Sequence, residues 1–326
     1  HMLNDGVEPD KFVLSCLLKL CGDLEVLSKA RLMHHHMVYT DFFSDSVLGN
    51  SLLYAYAKCG ELSDMWDVFC LLRVRDLFSW STVFVAYVSN GLRLHALELY
   101  ATMKHDGIRP DKVVFISILK ASISNSDDNV ILSISNGFIL HDEVIQNGLE
   151  SDTYVGSSLL DMYSKCDCVK EAFNVFGKLS RSNVVCWSVM ISCFAQHGDG
   201  NSALKLYLQM KEKGIEPAKG IFLSILKACS SIRNVSISRL MHGEIREAEL
   251  DMDIMVGSAI IDMYAKCGNV EDSRGVFDRL INRDSVVWGT MMSGYTHNER
   301  HADTLLLYKS MCEAGILASI TAYLSV

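Results

Sequence analysis

The sequence predicts an all-α solenoid of stacked helix-turn-helix repeats, and three observations predict it. First, one phrase recurs: Leu48-Gly-Asn-Ser-Leu-Leu-Tyr-Ala-Tyr-Ala-Lys-Cys59 returns at Val155–Cys166 and again at Val256–Cys267. Second, independent markers keep the same interval. Trp80, Trp187 and Trp288 lie 107 and 101 residues apart, as do Cys59, Cys166 and Cys267, while the only three prolines (Pro9, Pro110, Pro217) are separated by 101 and 107. A period that survives in several markers is the signature of a repeat array. Third, 49% hydrophobic residues, 15 Met and only 3 Pro in 326 residues favour helix over sheet.

Ten recurring acidic or turn positions cut the chain into units. They are Asp10, Asp45, Asp76, Asp111, Asp152, Asn183, Ala218, Asp253, Asp284 and Ser319, at intervals of 35, 31, 35, 41, 31, 35, 35, 31 and 35. Nine units follow: 11–45, 46–76, 77–111, 112–152, 153–183, 184–218, 219–253, 254–284 and 285–319. Residues 1–10 read as a tag scar (His1-Met2) and the tail of a preceding repeat, and residues 320–326 as the start of a truncated one.

Each unit contains two amphipathic stretches of roughly a dozen residues. In 77–111 they are Ser79–Ser89 and Leu94–Lys104, parted by Asn90-Gly91. Gly107-Ile-Arg-Pro-Asp111 then ends the second helix, because glycine accepts left-handed geometry and proline cannot continue a helix. The same ending reads Gly6-Val-Glu-Pro-Asp10 and Gly214-Ile-Glu-Pro-Ala218. One such hairpin is too small to bury its apolar face, so neighbours must stack. The six surplus residues of 112–152 fall around Ser122–Ser135, whose Ser, Asn and Asp predict a longer interhelix loop.

Composition excludes several classes. No apolar run reaches membrane-spanning length. The 11 cysteines are odd in number and include no C-x-x-C. They read as reduced, mostly buried small hydrophobes such as Cys16, Cys193 and Cys229, in a compartment that is reducing or at least not secretory. A net charge of −9 counts against bulk attraction to nucleic acid but does not describe one groove.

No catalytic or metal constellation assembles, so no enzyme activity, cofactor or metal is predicted. His141-Asp-Glu143 and His242-Gly-Glu244 match half of a zinc deaminase site, and neither is followed by P-C-x-x-C. Adjacent helical positions make the side chains of His34-His35-His36 and of Cys166-Asp-Cys168 diverge. Phosphate-binding glycine loops and nucleophile elbows are missing from the sequence.

A fixed alternation of 35- and 31-residue hairpins resembles the pentatricopeptide repeat family, in its plant P-L-S subclass. The units with tryptophan and Gly-Ile-x-Pro-Asp look like P-type repeats (77–111, 184–218, 285–319). Those with Phe115-Ile-Ser-Ile-Leu-Lys-Ala and Phe222-Leu-Ser-Ile-Leu-Lys-Ala-Cys look L-type (11–45, 112–152, 219–253). Those with Asp-Met-Tyr-Ala-Lys-Cys look S-type (46–76, 153–183, 254–284). The resemblance implies a right-handed superhelix that binds single-stranded organellar RNA, one base per repeat.

It also implies the readers: the fifth residue of the first helix together with the last of the unit. These are Asn50 with Asp76, Ser81 with Asp111, Ser157 with Asn183, Ser188 with Ala218, Ser258 with Asp284, and Gly289 with Ser319. By the family's code they imply a target of the form U-G-n-A-n-n-G. The aliphatic Ile116 and Leu223 fit the poorer reading of L units. Second-position residues Val47, Phe78, Tyr154, Val185, Met255 and Val286 would sandwich the bases.

Lys58, Lys165 and Lys266 recur in the S units, and Lys19, Lys120 and Lys227 in the L units. Such a row suits phosphates. The family further implies a mitochondrial or chloroplast location, C-to-U editing or transcript processing, and editing-complex proteins as partners. Uncapped solenoid ends imply end-to-end homodimers. The alternative is a helical scaffold whose concave face binds a protein or peptide.

Overall fold

The computed structural model describes residues 9–40, 42–123, 130–179 and 183–316, with the side chains of 130–134 also outside the description. Contacts divide the chain into two units, 1–162 and 163–326, with the cut inside one helix. The first contains α1 (Lys11–Asp23), α2 (Leu27–Tyr39), α3 (Ser46–Lys58), α4 (Leu62–Leu71), α5 (Leu77–Ser89), α6 (Arg93–His105), α7 (Lys112–Ser122) and α8 (Val130–Gln146). The cut falls in α9 (Thr153–Lys165). The second contains α10 (Val169–Lys178), α11 (Val184–Gln196), α12 (Gly200–Glu212), α13 (Lys219–Ile232), α14 (Val235–Glu247), α15 (Ile254–Lys266), α16 (Val270–Arg279), α17 (Ser285–His297) and α18 (His301–Glu313). Among the described residues there is no strand, and no helix is long and apolar enough to cross a membrane.

The recurring acidic residues are helix N-caps. The side chains of Asp10, Asp45, Asp76 and Asp111 accept backbone N–H bonds from the first turns of α1, α3, α5 and α7. Asp152 does so for Tyr154 and Val155. Asn183, Asp253 and Asp284 cap α11, α15 and α17. Each such cap stabilises a helix start by about 0.5–2 kcal/mol. Ala218, with no polar side chain, makes no such bond to α13. At the other end, Gly107 and Gly214 adopt φ of 72° and 70°, the left-handed turn that stops the second helix before proline.

In each unit the first helices of successive hairpins form one layer and the second helices a second layer behind it. In the first unit α1 packs on α3, α3 on α5 and α5 on α7, while α2, α4 and α6 each bridge two of these. In the second, α11, α13, α15 and α17 repeat the arrangement with α12, α14 and α16 behind. The recurring phrase fills the seam: Leu52, Leu53 and Tyr56 are buried, as are Ile260, Ile261 and Tyr264. Its glycine has a steric cause. A Cβ at Gly49 would stand 2.5 Å from Leu72 Cδ2, and one at Gly257 2.8 Å from Leu280 Cδ2.

Each kind of junction carries its own recurring contact. Phe69 meets Trp80, Phe176 meets Trp187 and Phe277 meets Trp288 edge-to-face, all at 4.9 Å between centroids. His34 Nδ1 lies 2.9 Å from the Tyr56 hydroxyl, and His242 Nδ1 lies 3.1 Å from that of Tyr264. The hydroxyls of Tyr100 and Tyr207 donate to Glu143 and Glu244, which also take Lys104 and Lys211. Glu143, His242 and Glu244 of the deaminase-like motifs thereby pack between hairpins. His242 and Glu244 serve two different junctions.

Two expectations are corrected. The 112–152 insertion is not loop through residue 135, because α8 already begins at Val130 and runs 17 residues against 13 for α14. Residues 124–129 lie outside the described set. The cysteines are all free, yet only Cys166, Cys186, Cys193 and Cys229 are buried, whereas Cys16, Cys70 and Cys312 are exposed. Helical patterning places a residue on a face but does not by itself say whether a neighbour covers it.

Candidate nucleic-acid interface

The six second-position residues occupy the first turns of first-layer helices, where a capped N-terminus leaves the side chain pointing away from the stack. Val47, Phe78, Tyr154, Val185, Met255 and Val286 are all exposed, between 50% and 69%. Hydrophobic side chains packed in a seam would be buried, so ordinary core packing does not account for them. Phe12 and Val113 hold the same position in their units and are exposed too.

Three residues further on, the fifth-position side chains are partly covered. Asn50 Nδ2 donates to both carboxylate oxygens of Asp76, at 3.3 and 3.0 Å. Ser81 and Ser157 donate their hydroxyls to the carbonyls of Leu77 and Thr153, one helical turn back. The oxygen of such a serine keeps lone pairs to offer. Ser258 Oγ sits 3.1 Å from Thr290 Oγ1. Ser188 occupies the same register of α11 and is likewise half-buried; Gly289 is buried and offers no side chain. Ser319 lies outside the described residues.

In the first unit these side chains converge on two adjoining recesses. Val47, Asn50 and Phe78 line one of about 440 Å³, with Lys19 and Tyr54 at its side. Phe78, Ser81, Asp111 and Val113 line the next, of about 830 Å³, with Lys58 and Tyr54. Phe78 and Tyr54 belong to both. These volumes fall within the roughly 300–1,000 Å³ of small-molecule sites.

Lys58, Lys165 and Lys266 are all exposed. Lys58 Nζ stands 5.7 Å above the Tyr54 ring, whereas Lys266 is held by Asp262 at 2.7 Å. The last residues differ in their charged partners. Lys219 grips Asp253 at 2.7 Å and holds its carboxyl below the usual range, and Lys11 approaches Asp45 at 3.9 Å. Among the described residues Asp76, Asp111 and Asp284 have no lysine or arginine partner. Asp253 and, at longer range, Asp45 thus face a lysine, while Asp152 has no such partner among the described residues.

Sequence reasoning missed Ser15, the fifth-position residue of 11–45, whose hydroxyl lies 2.9 Å from that of Ser51. Its register matches Asn50 and Ser81, so spacing alone could have found it. Tyr54 and Val113 were missed because their part in the recesses depends on neighbouring hairpins.

Models of the PPR repeat match residues 50–77, 78–108, 157–184, 258–285 and 286–316, and a model of the PPR repeat family matches 182–230. The chain belongs to the pentatricopeptide repeat family. A pentatricopeptide repeat-containing protein of Arabidopsis thaliana is 32% identical over 94% of the chain and 37% of its own length. A chloroplastic one from the same plant is 33% identical over 96% of the chain and 50% of its length. A mitochondrial one is 28% identical over the whole chain and 38% of its length. The chain therefore spans half or less of these pentatricopeptide repeat relatives. In fold it superposes on PPR10, described in complex with an 18-nt psaJ RNA element, with a TM-score of 0.81 at 15% identity, over 100% of this chain and 48% of that one. Against PPR10 from maize the TM-score is 0.61 at 14% identity, over 99% and 52%.

Proposed function

We propose that the chain binds single-stranded RNA along the exposed edge of its first-helix layers, one base per repeat. The observation that carries this is the pair of recesses sharing Phe78. Each offers apolar or aromatic faces from second positions, Val47 with Phe78 and then Phe78 with Val113, around a polar fifth-position side chain. Stacked faces hold any base, and the polar group between them selects one. The RNA-bound PPR10 of similar fold supports the same reading.

On this reading the nine units follow the P-L-S order, and the pairs from Asn50–Asp76 to Ser258–Asp284 select U-G-n-A-n-n-G. The lysines facing Asp45 and Asp253 suit weak reading by those two L units. The mitochondrial and chloroplastic relatives support an organellar transcript as target. The chain's part is to choose a site for processing or C-to-U editing, with chemistry supplied elsewhere.

Fluorescence anisotropy with short labelled RNAs tests the proposal. Single-stranded U-G-n-A-n-n-G should bind at least tenfold more tightly than double-stranded RNA or DNA of matching sequence. Equal affinity for all three would refute it.

A further inference from the structure

The second-helix layer of the 163–326 unit contains a polar cavity of about 310 Å³ between α14, α15 and α16. His242 lines it and is 5% exposed. Its Nδ1 faces the Tyr264 hydroxyl at 3.1 Å, and its Nε2 is buried with no hydrogen-bond partner among the described residues. In the tautomer in which the Tyr264 hydroxyl donates to Nδ1, Nε2 carries the proton and is a buried donor without an acceptor among the described residues. A buried donor of this kind calls for an acceptor.

The cavity wall is rich in arginine. Arg239 is held by Asp272 at 2.8 Å. Arg246 reaches Asp251 only at 4.0 Å, and Arg279 has no ion-pair partner among the described residues. Burial first, then Arg246 and Arg279, push the His242 pKa down to about 4, so both guanidinium charges act on the imidazole.

The equivalent sites show what is frame and what is added. Around His34, the Tyr56 contact and the Arg31–Asp64 pair at 2.9 Å repeat the frame, but Val38 and Leu71 stand where Arg246 and Arg279 are. At His141, Ile145 replaces Arg246, and Glu150 lies 3.9 Å from the ring Nε2. Asp251 is the counterpart of Glu150 and is drawn to Arg246 instead. Two arginines are thus added to a structural histidine contact; of the two carboxylates that also line the cavity, Asp272 is held by Arg239 and Glu271 by Arg300 at 3.2 Å.

We propose that this cavity binds a phosphate-class oxyanion, taken by the Arg246 and Arg279 guanidinium groups and by the Nε2–H of His242. Guanidinium donors match the edges of a tetrahedral oxyanion, and a neutral imidazole N–H adds a short-range donor at its base.

The test is thermal unfolding of the full chain with inorganic phosphate, at ionic strength held constant with chloride. Phosphate should raise Tm saturably, as a ligand bound only to the folded state does. Arg246→Gln with Arg279→Gln should abolish that rise while leaving Tm in chloride unchanged, because both side chains are exposed at the rim. Arg31→Gln, in the equivalent frame without the extra arginines, should keep it. An undiminished rise in the double variant, or no more effect from phosphate than from acetate, overturns the proposal. Phosphate arrives either as a small anion or within an RNA backbone. Competition by a short RNA lacking terminal phosphates identifies the backbone as the source, and its failure to compete identifies the small anion.

Discussion

Asn50 and Asp76 are bonded to each other, the amide nitrogen donating to both carboxylate oxygens, while Asp76 also accepts the Ser79 N–H at 2.9 Å as the cap of α5. One carboxylate therefore starts a helix and orients the side chain proposed to meet a base. The Asn50 oxygen is left without a partner among the described residues. Asp76→Asn should keep the cap, since the two residues cap about equally well, and stability should change by less than about 0.5 kcal/mol. Asp76→Ala should lower it by about 1 kcal/mol. Both should weaken selectivity for the first base, which denaturation and anisotropy measured together will separate from stability.

Phe78 faces both recesses at 53% exposure. Phe78→Ala should weaken RNA binding by about 1–3 kcal/mol, the range for loss of a base–aromatic stack. Unfolding should hardly change. A similar loss for an RNA of any sequence would mark the residue as a source of affinity and not of selectivity.

The lysines should separate by salt titration. Each phosphate contact on single strands contributes about 0.7 to the slope of log K against log salt. Lys58→Gln should reduce the slope by roughly that amount. Lys266→Gln should reduce it less, because Asp262 already occupies its charge at 2.7 Å.

Acid should destabilise the fold through its histidines. Burial lowers the pKa of His34, and that of His242 falls from 6.5 to about 4. Between those values the unfolded chain binds more protons than the folded one, so stability is complete above about pH 6.5 and declines as the pH falls toward 4. His242→Gln should remove part of that decline, read as the slope of Tm against pH.

The architecture was legible because the markers that set its period are the residues that build it. Aspartates at unit ends are caps, glycine before proline ends helices, and the three tryptophans meet three phenylalanines at one distance. The glycine inside the recurring phrase was visible, but its cause was not, since Leu72 and Leu280 approach it only after the second helix turns back. Exposure of the second-position side chains could not be read from a pattern that equally suits a core. Local spacing supplied register, while pairings such as Lys219–Asp253, 34 residues apart, required the stack. The arginine cavity escaped notice because its residues come from three helices of two hairpins.

The most direct measurement is a base-preference profile of the Asn50→Ser variant. The substitution gives unit 46–76 the same serine–aspartate pair as unit 77–111, Ser81 with Asp111. Affinity should be measured for four RNAs that differ only at the base facing unit 46–76. The account predicts that the wild-type chain prefers U, that the variant prefers G, and that preferences at every other position are unchanged. An unaltered profile, or loss of affinity equal for all four bases, would contradict it.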